Sequence, residues 1–141
     1  LFGNRPQTLP ASSPLHRCFQ GEVWGADMYQ LLRRSRITLN SHIDFAGQEA
    51  GNMRLFEATG VGAFLLTDFK DNLDTLFARD REVAVWHSID DCLKVIDHYL
   101  RDDKSRSEIA HAGQARTIAQ HTYRQRIVEI LDFVNGVRTQ R

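Results

Sequence analysis

The fold is decided by one stretch of the chain, EAGNMRLFEATGVGAFLLTD at residues 49–68. Its pattern predicts a glycine-bearing loop, a helix over about residues 52–59, a tight glycine turn and a strand over residues 63–67. Gly60 is placed to end the helix in a left-handed conformation, which glycine adopts without strain. The apolar run after it is typical of a strand that is covered on both faces, as in a parallel sheet.

Two carboxylates, Glu49 and Glu57, bracket this loop and the first turns of the helix. A helix N-terminus carries unpaired N–H groups and a partial positive charge, so it can hold a phosphate group. A carboxylate further along the same helix can accept hydrogen bonds from the hydroxyls of a ribose. The combination predicts a site for a nucleotide diphosphate and its sugar.

The rest of the chain alternates strands with helices, which is typical of an α/β domain with a mostly parallel sheet. In such sheets ligands bind outside the carboxyl ends of the strands, where the loop after Asn40 and the loop after residue 67 both lie. The other strands are expected at residues 1–3 (a strand end only), 22–24, 37–40 and 83–86. The other helices are expected at residues 27–35, 89 to about 100, 105–119 and 122–135. A further short helix, capped by residues 71–73, is expected to run through residue 77.

Two further helix ends have recognisable signals. Ser88 with Asp91 three residues later resembles a capping box at the start of a helix. Gly136 is placed to end the last helix, which carries one apolar face. That face consists of Tyr123, Ile127, Ile130, Leu131 and Val134. Trp24 and Trp86 are expected in the core.

Composition excludes several classes of protein. The 141 residues suffice for one domain, and 42% hydrophobic with 26% charged residues is ordinary for a globular chain. A formal net charge of zero favours neither nucleic acid nor an anionic membrane. No apolar run approaches the ~20 residues that span a bilayer. Cys18 and Cys92 lie far apart, as expected of structural thiols in a reducing cytoplasm.

Several polar residues are candidate ligand contacts, and each has a simpler explanation. Asn40 and His42 follow a strand end, which favours ligand contact, although loops are commonly polar. Arg54, in the first helical turn, is suited to bind a phosphate, or it is a solvated or paired arginine. Glu57 lies in an apolar helical context, where an ion pair or a solvent-facing carboxylate is the default.

Other chemical motifs are missing from the sequence. Gly47 and Gly51 form neither GxGxxG nor a P-loop, so a Walker-type or dinucleotide site is not indicated. The histidines other than His42 show no metal spacing, which predicts no metal site and favours surface or capping roles for them. No nucleophile with a matching base is recognisable, so the sequence assigns no catalytic residue.

The run from Trp24 to Asn72 resembles the C-terminal domain of GT-B glycosyltransferases. The likeness is strongest to the glycosyl transferase group 1 branch related to the spore-maturation CgeB-like proteins. It is carried by Gly25-Ala-Asp27-Met-Tyr29, by Leu39-Asn40, and by residues 51–68. The spacing of Glu49 and Glu57 matches the EX7E pattern of retaining enzymes. The tail around residues 121–124 is similar to the closing helices of that domain, which we expect over about residues 105–136.

The resemblance implies a fold and a set of contacts. The fold is a Rossmann-like three-layer α/β/α domain that binds a nucleotide-sugar donor, which is a substrate and not a cofactor. Glu57 would bind the ribose hydroxyls, and Glu49 would face the donor sugar. Backbone amides over residues 51–54 would hold the diphosphate or the sugar; these residues are Gly51, Asn52, Met53 and Arg54. The usual Gly-Phe-Gly after the first glutamate is here Ala50-Gly51-Asn52.

The resemblance also implies parts that this sequence does not contain. The first strand of the domain, with a Gly-Arg loop that contacts the diphosphate, would lie before Leu1, as would an acceptor-binding N-terminal domain. The sequence is therefore interpreted as the single donor-binding domain, residues 1–141, of a larger cytoplasmic glycosyltransferase whose acceptor is unknown. The alternative is a non-catalytic Rossmann-like module that serves regulation or protein interaction.

Overall fold

A computed structural model of the protein describes residue 10 and residues 12–139, with side chains up to residue 136. Three short strands lie in this part of the chain: β1 (Thr38–Leu39), β2 (Leu65–Asp68) and β3 (Ala84–Trp86). A 3₁₀ turn, Asp44–Ala46, lies between β1 and the third helix. The helices are α1 (Leu15–Cys18), α2 (Gly25–Arg34), α3 (Met53–Gly60), α4 (Leu73–Leu76), α5 (Ile89–Arg101), α6 (Asp103–Gln120) and α7 (Tyr123–Thr139).

The strands form one parallel sheet in the order β1-β2-β3. Leu39 pairs with Leu66, and Leu66 pairs in turn with Ala84. Because every crossover between strands contains a helix, the predicted α/β class is confirmed. The parallel direction brings the carboxyl ends of all three strands to one edge.

Successive residues of β2 point to opposite faces of the sheet and enter two separate cores. Leu65 packs with Val83 and Val85 against helices α2, α3 and α4. Leu66, with Ala84, packs on the other face against α5 and α6. The strand is buried on both sides because helices cover both sides, as its continuous apolar run predicts. The three-layer arrangement expected from the sequence is therefore present.

The prediction of a strand over residues 22–24 is wrong. Gly21 and Gly25 both adopt positive φ, 93° and 57°, so the chain turns at each end of this segment and leaves no length for pairing. Trp24 is also not in the core, since it is 72% exposed and donates its indole N–H to the Glu22 carboxylate. Trp86 is partly buried. The strand end expected at residues 1–3 lies outside the described residues.

The sequence placed one helix end correctly and two incorrectly. Ser88 caps α5 by accepting from the N–H of Asp91 at 3.1 Å, as predicted. Gly60 belongs to α3, and the left-handed residue is Gly62 with φ 76°. The helix therefore runs one residue further before it turns. Gly136 does not end α7, which continues to residue 139.

The predicted apolar face of α7 is exposed in the part of the chain that the structure describes. Its members range from 42% exposed for Val134 to 79% for Tyr123. Among the described residues, no helix is long and apolar enough to cross a lipid bilayer.

Helix α6 approaches the turn before β3 so closely that only glycine fits at one position. A Cβ on Gly113 would lie 2.3 Å from the backbone oxygen of Glu82, a distance that real contacts do not show. Next to it, the hydroxyls of Thr59 on α3 and Thr117 on α6 are hydrogen-bonded at 2.7 Å inside the core. These contacts hold α3 against α6.

We predict that Gly113→Ala destabilises the protein by roughly 1–3 kcal/mol, because the backbone of residue 82 must move to admit the methyl group. Thermal unfolding followed by circular dichroism measures the effect. Gly136→Ala is the matched control, since nothing lies within 4 Å of its Cβ position and alanine favours a helix. Equal stability of the two variants would contradict the close approach of α6.

Candidate functional site

A cluster of polar side chains links the ends of β1 and β2 to the start of α3. Asn40 donates to the hydroxyl of Thr67 at 3.0 Å and accepts from the side-chain amide of Asn52 at 3.0 Å. Asn52 is the N-cap of α3, and its side-chain oxygen accepts from the N–H of Leu55. The N-terminus of α3 is thus fixed to the sheet edge by hydrogen bonds that are partly or wholly shielded from water.

His42 extends this cluster to the loop before α3. Its ring Nδ1 lies 2.6 Å from Asp68 Oδ1, and its backbone N–H donates to the same oxygen at 3.0 Å. The N–H of Gly51 lies 3.4 Å from Nε2 of the ring. Because an amide N–H can only donate, Nε2 is the acceptor and the ring proton resides on Nδ1, facing Asp68.

Asp68 is ionised in this cluster. Burial raises the pKa of Asp68, but the N–H donors of His42 and the nearby Lys70 charge outweigh burial and bring the pKa below 3.8. Lys70 also donates to the carbonyl of Gly47 at 2.6 Å, so it ties the loop to β2. The carboxylate is therefore an anchor for the loop between β1 and α3.

Asn72 holds the same loop by its backbone. Its side-chain oxygen accepts from the N–H of Ala50 at 2.6 Å, and its amide donates to the carbonyl of Ala50 at 3.0 Å. Asn72 is the N-cap residue of α4, yet its side chain makes no capping bond there. The loop before α3 is thus held on both sides, by His42 and by Asn72.

A cavity of about 460 Å³ opens beside the start of α3. Glu57 lines it, with a side chain that is 16% exposed and an Oε2 that lies 3.2 Å from Arg54 Nη1. No described residue donates a hydrogen bond to its Oε1, and none accepts one from the backbone N–H of Met53 or Arg54. The other lining residues are Tyr29, Gly51, Met53, Phe56, Gly60, Val61, Thr117, His121, Thr122, Tyr123 and Arg126.

The structure divides the eight predicted site residues into groups. Gly51, Met53 and Glu57 line the cavity. The side chains of Asn40, His42 and Asn52 instead belong to the hydrogen-bonded cluster at the sheet edge and are not among the lining residues. Arg54 pairs with Glu57 and also contacts the sulfur of Met28 at 3.2 Å. Glu49 is exposed on the loop and is not among the residues that line the cavity.

Sequence reasoning missed the residues that reach the cavity from elsewhere in the chain. Tyr29 comes from α2, while His121, Tyr123 and Arg126 come from the junction of α6 and α7. A surface or capping role was expected for His121, which is in fact partly buried between aromatic rings. The last three share a local signal, the polar and aromatic run HTYRQR at residues 121–126, where α6 ends and α7 begins.

Comparisons with known proteins add a family and a fold. A family model described as glycosyl transferase-like matches residues 1–132. The crystal structure of Anabaena Alr3699/HepE in complex with UDP matches with a TM-score of 0.66 and 18% sequence identity. The match covers 81% of this chain and 31% of that chain, so this chain spans about a third of that structure's length. No curated protein matches the chain.

We predict that Asp68→Asn lowers the free energy of unfolding by about 1.5–3 kcal/mol at pH 7, because hydrogen bonds to a charged acceptor are lost. The pKa of Asp68 is lower in the folded protein than in the unfolded chain. The carboxylate therefore stabilises the fold above pH ~4, and this stabilisation is lost as the pH falls through the pKa that Asp68 has in the folded protein. Urea unfolding at pH 7 and near pH 2.5 measures both effects.

Asp71→Asn is the control for this test, since Asp71 is exposed and close to the same loop. A stability difference between Asp68→Asn and the wild type that persists unchanged at pH 2.5 would contradict the role of the ionised carboxylate.

Proposed function

We propose that the cavity of this chain, which belongs to the glycosyl transferase-like family, binds the nucleoside diphosphate part of a nucleotide-sugar donor. The family bears out the resemblance to glycosyltransferases that residues 24–72 indicate. The narrower resemblance to the CgeB-like branch stays a prediction. The sugar would pass to an acceptor that a further domain of the protein binds.

The observation that carries this proposal is the position of Glu57. Glu57 lines a cavity that extends to Gly51 and Met53, at the start of α3. Glu57 follows Met53 by four residues, about 6 Å along the helix axis, which suits a ribose at the carboxylate and phosphates at the helix start. UDP is a candidate ligand because the similar Anabaena structure is a complex with UDP.

Two features of this site suit it to stabilise a departing diphosphate. The first backbone N–H groups of α3 are aligned with the helix dipole and point out of its N-terminus. The cluster of Asn40, His42 and Asn52 holds that N-terminus in place before any ligand arrives. Donors that are already oriented toward developing negative charge lower a barrier without further reorganisation, which is electrostatic catalysis.

One observation favours the alternative of a non-catalytic module. Glu57 forms an ion pair with Arg54 at 3.2 Å, as a purely structural carboxylate would. The ion pair uses Oε2, however, and the cavity remains open beside it. Arg54 would then orient the carboxylate toward the cavity. Nucleotide binding distinguishes the two functions.

We predict that UDP, GDP or ADP binds the natural full-length protein and that Glu57→Gln weakens the binding about 10-fold or more, because charged hydrogen bonds to the ribose are lost. Isothermal titration calorimetry measures the affinities. Glu108→Gln is the control, since Glu108 is an exposed carboxylate on α6. Equal affinities of the two variants, or a wild type that binds none of the three nucleotides, would contradict the proposed function.

A further inference from the structure

Arg126 reaches the cavity from α7, a helix on which most of the side chains described, up to residue 136, are exposed. Its Nη2 donates to Nδ1 of His121 at 2.8 Å, and its Nη1 pairs with Glu129 Oε2 at 2.8 Å. The Glu129 side chain is 60% exposed, so water screens this ion pair and a ligand can replace it at small cost. The bond to His121 is part-buried and therefore fixes the direction of the guanidinium.

His121 is held in a single tautomer. Its Nε2 lies 2.8 Å from the carbonyl of Leu76, and its ring packs against Phe56 and Phe77 with centroids 5.2 and 5.1 Å away. A carbonyl can only accept, so the ring proton is on Nε2. Nδ1 then offers its lone pair to Arg126, which only a neutral ring can do.

We propose that Arg126 binds a phosphate group of the nucleoside diphosphate and that neutral His121 positions it. The inference rests on the proposed function. The cavity carries one carboxylate, Glu57, which repels phosphate, and one guanidinium at its α7 side. The ribose therefore belongs at Glu57 and a phosphate at Arg126. The planar guanidinium can offer two parallel N–H bonds to a phosphate, a geometry that lysine lacks.

Burial, reinforced by two arginine charges, lowers the pKa of His121 and so keeps its ring neutral near pH 7. The hydrogen bond to the carbonyl of Leu76 raises the pKa, whereas the positive charges of Arg126 and Arg116 lower it further. Glu129 on α7 acts in the opposite sense, and Glu57 on α3 faces the same cavity. Once protonated, the ring would present an N–H at both nitrogens and repel Arg126.

The first test compares UDP with uridine, which has the ribose but no phosphate. We expect Arg126→Gln to weaken UDP binding by about 10- to 100-fold and to leave uridine binding within about 2-fold, because only the phosphate contact is lost. Arg124→Gln is the matched control, because it removes the same charge from an exposed position of α7. Arg126→Lys keeps the charge and should bind UDP with intermediate affinity.

The second test isolates the positioning role of His121. We expect the affinity of the wild type for UDP to fall below pH 6.5 more steeply than that of His121→Asn, which keeps Arg126 but has no titrating ring. The titration of the UDP phosphate acts on Arg126 in both proteins and therefore cancels in the comparison. A merely structural histidine would give parallel pH profiles, which would overturn the positioning role.

The two proposals fail in different ways. If Glu57→Gln weakens uridine binding while Arg126→Gln binds UDP like Arg124→Gln, the phosphate contact is wrong and the proposed function stands. If the wild-type full-length protein binds neither UDP nor uridine, and neither GDP nor ADP, both proposals are wrong. Thermal unfolding of each variant confirms that the folded protein is being titrated.

Discussion

The site depends on one constraint, that buried polar groups at the end of a parallel sheet must find partners. Asn40 directly follows β1, Thr67 lies near the end of β2, and both are almost fully buried. Their side chains bond to each other, and Asn40 then bonds to Asn52, the cap of α3. The buried polar side chains at the sheet edge therefore also hold in place the helix that carries Glu57.

The opposite end of α3 is held by its contacts with α6. Thr59 meets Thr117 inside the core, and α6 approaches closely because position 113 is glycine. With its start held by the polar cluster and its end held by α6, α3 forms a rigid wall of the cavity. The opposite wall comes from α2 and from the junction of α6 and α7. A rigid wall allows the donor groups of α3 to be oriented before a ligand binds.

Local patterns predicted the sheet and the helices that carry the site, since apolar runs and caps act over a few residues. The strand over 63–67 and the cap at Ser88 are of this kind. The predictions fail where the structure depends on contacts between residues that are far apart in the sequence. Nothing local shows that residues 22–24 lack a strand to pair with, or that Arg126 turns toward a cavity formed by α2 and α3. Ligand contact by Asn40 and His42 stays a prediction, and their hydrogen-bond partners Asn52 and Asp68 are visible only in three dimensions.

The most direct test of this account is a crystal structure of the natural full-length protein with UDP. The account predicts that the ribose hydroxyls contact Glu57 and that the diphosphate lies between the first N–H groups of α3 and the guanidinium of Arg126. UDP bound elsewhere, with the cavity beside α3 empty and Glu57 still paired only with Arg54, would contradict it.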